Sequence, residues 1–226
     1  MTGRHRRHKV SFIIPVLNGE KYIEGCLKSI MREMDEIDEI IVVDNGSTDN
    51  TLKVVRQYEK TRILQFPGVT IAALRNRGAE VSNGDILAFI DSDCLLNNGW
   101  RSTVESVMSD ETIKATGSFY DIPLPANWVE RAWWSLKRHA ETKVHYIPSG
   151  NLAIRKDAFE AVSGFNEELI TDEDTDIGAR LNKMGFVMLE TSLVGVVHLG
   201  NAKTLREFIK KERWHSTSML RTISLS

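Results

Sequence analysis

Residues 86–93 read Ile86-Leu87-Ala88-Phe89-Ile90-Asp91-Ser92-Asp93, five apolar residues running straight into two acids one residue apart. A short continuous apolar run bounded by a polar turn is the pattern of a fully buried strand, as in a sheet covered on both faces. Side chains at i and i+2 of a strand share a side, so both carboxylates leave the strand end in one direction. Two convergent carboxylates at a sheet rim suit a hard divalent cation, which takes oxygen ligands and accepts substrate phosphates beside them. A helix cap or a polar turn explains the same three letters equally well, because short Asp-x-Asp matches are common. The surroundings of the segment decide between these readings.

Upstream, the chain alternates. Val10 to Val16 is an apolar, β-branched run ended by Pro15 and the turn Leu17-Asn18-Gly19, and residues from Tyr22 to Met34 recur at helical spacing. A second strand, Asp38 to Val43, leads into Asp44-Asn45-Gly46-Ser47-Thr48-Asp49, where Ser47 or Asp49 can cap a helix carrying Leu52, Val54, Val55 and Tyr58. A third strand from Arg62 to Phe66, a helix from Thr70 to Val81 and a fourth strand from Asp85 to Ile90 complete this part. Strand-helix alternation with short connections implies right-handed crossovers and a Rossmann-like, mostly parallel α/β sheet. Ligands of such sheets gather at the carboxyl ends of the strands. The loops Asn18 to Glu20, Asp44 to Asp49 and Asp91 to Asp93 all fall at that edge, which points to one shared site.

Beyond Asn97 the alternation loosens. A helix from Trp100 to Met108, a strand from Ile113 to Tyr120 and a stripe of Trp128, Val129, Ala132, Trp133 and Leu136 at helical spacing follow. That stripe reads first as core and second as a membrane-surface face, flanked as it is by Arg131, Lys137 and Arg138. Strand character returns from Tyr146 to Ile154, helices are expected over Ala158 to Val162 and Glu173 to Met184, and short strands over Val187 to Leu189 and Leu193 to Val197. A helix from Thr204 to about Leu220 closes the chain. The expected organisation is a basic tail, 1–9, and one domain, 10–226, with a nucleotide half over 10–96 and a smaller acceptor half over 97–226.

Composition narrows the class. The 226 residues are 42% apolar and 27% charged, ordinary for a globular chain with a sizeable core. A net charge of −2 offers no domain-wide basic excess for nucleic acid. The run Arg4, His5, Arg6, Arg7, His8, Lys9 reads as a solvated terminus, with peripheral contact to anionic lipid as the second reading. Cys26 and Cys94 have neither metal spacing nor the number for a disulfide framework, so a reducing cytosol fits best. No apolar stretch is long enough to span a bilayer.

Five stretches in order resemble the inverting family-2 glycosyltransferases of the GT-A fold: Ile14-Pro15-Val16-Leu17-Asn18-Gly19-Glu20; Val43-Asp44-Asn45-Gly46-Ser47-Thr48-Asp49; Arg75-Asn76-Arg77-Gly78-Ala79; Asp91-Ser92-Asp93; and Ser149-Gly150-Asn151-Leu152-Ala153-Ile154-Arg155, running on to Gly164-Phe165 and Asp172-Glu173-Asp174-Thr175-Asp176. They span roughly residues 10 to 200. Asn45 departs from the pattern, since the family often has a second Asp there.

The resemblance implies a role for each matching position. Asp44 would accept a hydrogen bond from the imide of a uracil base, and Pro15, Asn18 and Glu20 would lie along the nucleoside. Arg75 and Asn76 would contact base or phosphate, although Arg75-Asn76-Arg77 by itself reads as a solvated helix face. Asp93 would be the direct ligand of Mn2+ or Mg2+, with Asp91 reaching ribose or a metal-bound water and Ser92 between them at the nucleotide sugar. His198 matches a further ligand position of some relatives, and reads equally as a structural histidine. Asp174 would be the general base and Glu173 its structural neighbour. Acids in a first helical turn are also expected from the helix dipole, with Thr171 as the cap, but four acids in five positions exceed that need. Lys210-Lys211-Glu212-Arg213-Trp214 has the spacing of the processive members' Gln-x-x-Arg-Trp with Lys in place of Gln, so single addition is expected. The same five residues read more simply as part of an amphipathic surface helix built on Leu205, Phe208 and Ile209.

The activity expected is transfer of a sugar from a nucleotide-sugar donor, UDP-linked, to a hydroxyl of a carbohydrate or lipid-linked acceptor in envelope or polysaccharide synthesis. A sugar-1-phosphate nucleotidyltransferase would need a Gly-rich phosphate loop after the first strand, and Pro15-Val16-Leu17-Asn18 is none. A dehydrogenase would need Gly-x-Gly-x-x-Gly opening a helix. A nucleotide-binding domain without turnover stays open. Oligomeric state is not written in the sequence.

Overall fold

The computed structural model describes residues 7–135 and 142–215. Strands β1 (Val10–Val16), β2 (Glu39–Asp44), β3 (Thr61–Gln65) and β4 (Ile86–Ile90) alternate with helices α1 (Ile23–Glu33), α2 (Thr51–Val55) and α3 (Ile71–Glu80). They lie in the order β3-β2-β1-β4, all parallel. The order reverses between β1 and β4, the switch point at which open α/β sheets form a crevice. Pairing there stops at Ile13↔Phe89, two residues before Pro15, so the proline's missing N–H costs no ladder bond on that side.

Period-2 alternation sorts the core into two layers. Phe12, Ile14, Ile40, Val42, Ile86 and Ala88 point to one face and meet Leu27 and Ile30 of α1. Ile13, Ile41, Val43, Leu87 and Phe89 point to the other and meet Leu74 of α3. Strands buried on both faces must be apolar at every position, and that is what made them readable.

The second half extends the same sheet with mixed direction. After β5 (Cys94–Leu96) and α4 (Trp100–Val107) come β6 (Ile113–Gly117), α5 (Trp128–Ser135), β7 (Thr142–Lys143), β8 (Asn151–Arg155), α6 (Lys156–Ala161), α7 (Glu173–Lys183), β9 (Val187–Glu190), β10 (Val196–His198) and α8 (Leu205–His215). The full order is β3-β2-β1-β4-β8-β6-β9-β7, with β8 antiparallel to both β4 and β6. That reversal brings the start of β8, Ser149-Gly150-Asn151, to the edge where β4 ends. Separately, β10 pairs antiparallel with β5, placing His198 opposite Cys94 and beside Asp93.

Several boundaries differ from expectation. Residues 146–150 are loop, and only Asn151–Arg155 pairs as strand. Asp172, not Thr171, precedes α7, at φ +67, a left-handed geometry that Asp tolerates better than most residues. The tryptophan stripe divides: Val129 is buried, whereas Trp128 is 63% exposed. The expected continuation of α8 to Leu220, and Leu136, Lys137 and Arg138, lie outside the described residues. Among the described residues no helix is long and apolar enough to cross a membrane.

Candidate active site

Loops after β1 and β2 are laced together by side chains bonding to backbone. Asn18, at φ +51, accepts the Thr48 N–H on Oδ1 at 2.9 Å and donates its own N–H to Ser47 Oγ at 2.8 Å. Glu20 Oε2 accepts the Asn50 N–H at 2.6 Å, and Asp49 Oδ2 accepts the Glu20 N–H at 3.1 Å. Asp44 is fully buried, its carboxylate accepting the N–H groups of Gly46 at 3.0 Å and Ser47 at 3.1 Å. In this structure it holds its own loop, the geometry of an Asx turn. Asn45 pairs both ways with Val69, donating to its carbonyl at 3.0 Å and accepting its N–H at 3.1 Å. An Asp at this position could not make the first of these bonds, which gives the departure from the family pattern a local reason.

Arg75 corrects the solvated-face reading. It is 1% exposed, with Nη1 on Glu173 Oε1 at 2.7 Å and Nη2 on Asp91 Oδ1 at 2.8 Å, its guanidinium lying over the Phe165 ring. One buried cation thus ties the end of β4 to the start of α7, while its Nε has no partner. Asn76, expected on base or phosphate, instead grips the loop before α7. Its amide donates to the Phe165 carbonyl at 2.8 Å and to Glu167 at 2.9 Å, and accepts the Phe165 N–H at 2.9 Å. Pro15 is buried within β1, and Ser92 faces Gly19 of the first loop.

Asp91 and Asp93 lie in the turn after β4, not in the strand, with Asp91 on Arg75 and Asp93 beside His198. A Cβ on Gly150 would collide with Asp91 Oδ2 and Tyr120 Oη, and one on Gly200 with Asp93 Oδ2. Those two glycines are therefore the residues that let both carboxylates fit. His198 Nε2 lies 3.4 Å from Asp93 Oδ2. Its other nitrogen, Nδ1, lies 2.9 Å from Asn201 Oδ1, while Asn201 Nδ2 donates to the His198 carbonyl at 2.6 Å. The second bond fixes the amide, so Asn201 Oδ1 is an acceptor and Nδ1 carries the proton. A neutral His198 then turns the Nε2 lone pair toward Asp93, the arrangement of a metal-binding imidazole held by a hydrogen-bonded neighbour. The 3.4 Å gap exceeds that of a direct charge-assisted bond. This donor set fits a divalent cation. Cys94, near both, is fully buried and held as the thiol by burial and by the charge of Asp91, so it makes a poor ligand. Burial raises the Asp93 carboxyl.

Across the cleft, Glu173 is fixed by Arg75 and by Ser149 Oγ at 2.9 Å. Asp174 accepts the Thr175 N–H at 2.8 Å, and among the described residues it forms no salt bridge. Burial, then the charge of Glu173, pushes its carboxyl up to about 6, close to the value a general base needs near neutrality. Tyr146 faces it, its hydroxyl raised by burial and by the Asp174 charge. Asn151 is a buried hub, accepting Trp100 Nε1–H at 3.0 Å and donating to the carbonyl of Val194 at 2.7 Å and to Ser118 Oγ at 3.0 Å.

Sequence reading assigned no role to Asn201, Gly200 or Tyr120, whose meaning depends on partners far along the chain. In the expected acceptor half, Tyr120 lies near Asp91 and Asp174, and Tyr146 near Asp174. A recess of about 960 Å3 lies at the opposite, amino-terminal edge of the parallel strands. Its cations, Arg155 and Lys156, are tied to the carbonyls of Ile113 and Ser82, and it holds none of the groups above.

A family model described as glycosyl transferase family 2 matches residues 11–163. Glycosyltransferase AglE of Haloferax volcanii is 30% identical over 215 residues, 90% of this chain and 70% of its own length. The pre-mycofactocin glycosyltransferase of Mycobacterium tuberculosis is 27% identical over 92% of this chain, which spans 46% of that protein. Among solved structures, the mannosyltransferase PcManGT from Pyrobaculum calidifontis, in complex with GDP-Man and Mn2+, superposes at a TM-score of 0.75 with 20% identity. It covers 96% of this chain, which spans 65% of its own. S. aureus TarS 1-349 with UDP-GlcNAc gives 0.70 at 20% identity over 87% of this chain and 60% of that one. These likenesses show the GT-A fold.

Proposed function

The chain belongs to glycosyltransferase family 2, and from that premise we propose that it transfers a hexose-type sugar, with inversion, from a UDP-linked donor to a hydroxyl of a carbohydrate or lipid-linked acceptor in envelope glycan synthesis. The observation that supports the reading is the buried Arg75 bridge from Asp91, two residues from the Asp93 and His198 pair, to Glu173, whose neighbour Asp174 carries a carboxyl pushed up to about 6. Arg75 joins the two sides through Asp91 and Glu173.

Asp93 and His198 would hold a Mn2+ or Mg2+ ion, with Asp91 beside them. When bound, that ion supplies Lewis-acid stabilisation of a departing nucleoside diphosphate. Asp174 takes the proton from the acceptor hydroxyl as its oxygen bonds to the anomeric carbon, and the bond from that carbon to the diphosphate breaks on the opposite face. General-base assistance of this kind contributes roughly 10²- to 10⁴-fold. Asn18, Glu20 and Ser92 line the donor side. Asp44 can reach a base only if the loop it holds shifts, so the identity of the base rests on a donor panel that includes GDP-sugars. The test is release of nucleoside diphosphate from UDP- and GDP-sugars, with and without acceptor, before and after chelation. Release that requires the divalent ion and rises with acceptor is expected. No release from any donor under any ion would overturn the proposal.

A further inference from the structure

Two helices beside the cluster turn large apolar groups outward. Trp128 of α5 is 63% exposed, and Leu205 and Ile209 of α8 are 53% and 50% exposed. Single exposed apolar residues need no explanation, but these three sit on helices tied together. Lys203 Nζ meets Glu130 Oε1 at 2.7 Å and Asn127 Nδ2 donates to the Lys203 carbonyl at 3.1 Å, joining the starts of α5 and α8. Val129 and Trp133 of α5 and Phe208 and Lys211 of α8 line one small recess between them, together with Asn201, the residue that orients His198.

At 3.6 residues per turn, the arcs facing away from that recess can be read directly. On α8 the outward arc holds Leu205 and Ile209, edged by Arg206 and Lys210, all exposed. On α5, Trp128 and Arg131 share the outward side, one turn apart. Among the described residues two exposed acids, Glu207 and Glu212, border the α8 arc on its two sides, and the outward side of α5 carries none. Glu130 is buried against Lys203, Glu207 accepts the N–H groups of Lys203 and Thr204, and Glu212 lines the recess. Three cations interleaved with three large apolar groups, on a chain of net charge −2, make a local surface opposite in sign to the whole.

We propose that the outer arcs of α5 and α8 dock on an anionic bilayer. Trp128, Leu205 and Ile209 enter the boundary between headgroups and acyl chains, while Arg131, Arg206 and Lys210 meet lipid phosphates. The inner sides of these helices share a recess with Asn201, the partner of His198, so docking on their outer arcs would bring a lipid-linked hydroxyl toward the acceptor side; that last consequence alone rests on the proposed function.

Flotation with vesicles tests the docking itself. Phosphatidylcholine mixed three to one with phosphatidylglycerol should carry the chain upward at low salt, and pure phosphatidylcholine or high salt should not. The combined change Arg131→Glu, Arg206→Glu and Lys210→Glu should lower partitioning on the order of a hundredfold. Trp128→Ser with Ile209→Ser should lower it about tenfold, leaving the salt dependence in place. UDP binding by the charge variant without vesicles should be unchanged, which separates loss of docking from loss of the donor site. The proposal is overturned if the native chain stays down with both vesicle types, or if the charge variant floats equally well. A concentration-dependent dimer that Trp128→Ser dissolves would assign the face to a second copy instead.

Discussion

The proposed donor loops and the proposed acceptor side are held by different kinds of bond. On the donor side, Asn18, Glu20, Asp44 and Asn45 each grip nearby backbone in exposed or edge loops. Three of these bonds span 24 to 30 residues, but they lie at the surface, and losing one leaves the strands beneath it paired. On the acceptor side, buried side chains hold one another across long stretches of chain: Arg75 with Glu173, Ser149 with Glu173, Asn151 with Trp100 and Ser118. The first arrangement can adjust as a nucleotide enters. The second is preorganised, so its groups are fixed before substrate arrives, and damage to it is damage to the fold.

Breaking the buried network should therefore cost most. Arg75→Met leaves Asp91 and Glu173 facing each other without their shared cation and should destabilise by about 3–5 kcal/mol. Urea unfolding checks this; a loss below about 1 kcal/mol would place Arg75 among ordinary surface ion pairs.

An intermediate effect comes from Asp174. Its folded pKa of about 6 lies above the ordinary 3.8. The folded state therefore binds that proton more tightly, and the resulting stability is complete below about pH 4 and gone above about pH 6. Allowing for partial exposure, the difference is on the order of 1–2 kcal/mol. Transfer should run oppositely, kcat/KM climbing through about pH 6 to a plateau as the base ionises. Paired thermal unfolding and rate profiles would show the two curves moving in opposite directions.

The smallest effect should come from the donor loops. Asn45→Asp restores the residue frequent in the family, yet loses the bond to the Val69 carbonyl, and should cost about 1 kcal/mol or less by thermal unfolding. A cost equal to that of Arg75→Met would erase the contrast between the two sides.

The same contrast explains what could be read in the sequence. The parallel half was legible because β1, β2 and β4 are apolar on both faces and each crossover is local, so Val10–Val16 and Ile86–Ile90 announced themselves. Asp91 and Asp93 were legible as a pair closing a buried strand only with the neighbouring loops beside them, since they occupy the polar turn that the letters equally allowed. Arg75 was not, because the acid that buries it lies 98 residues away. His198 reached Asp93 through β5 and β10, three residues each, too short to carry a periodic signal. One missed signal was local: Asn127 and Glu130 form a reciprocal cap at the start of α5, a spacing visible in the letters themselves. The outward turn of Trp128, by contrast, depends on which face of α5 meets α8.

The central claim, a cation-holding side and a proton-accepting side sharing one cleft, is met most directly by calorimetric titration of UDP with Mn2+ into native, Asp93→Asn and Asp174→Asn proteins, beside their transfer rates. Asp93→Asn should lose nucleotide binding and transfer together. Asp174→Asn should bind UDP as tightly as the native chain while transfer falls at least about a hundredfold. Native-level transfer by Asp174→Asn, or unchanged UDP binding by Asp93→Asn, would contradict the account.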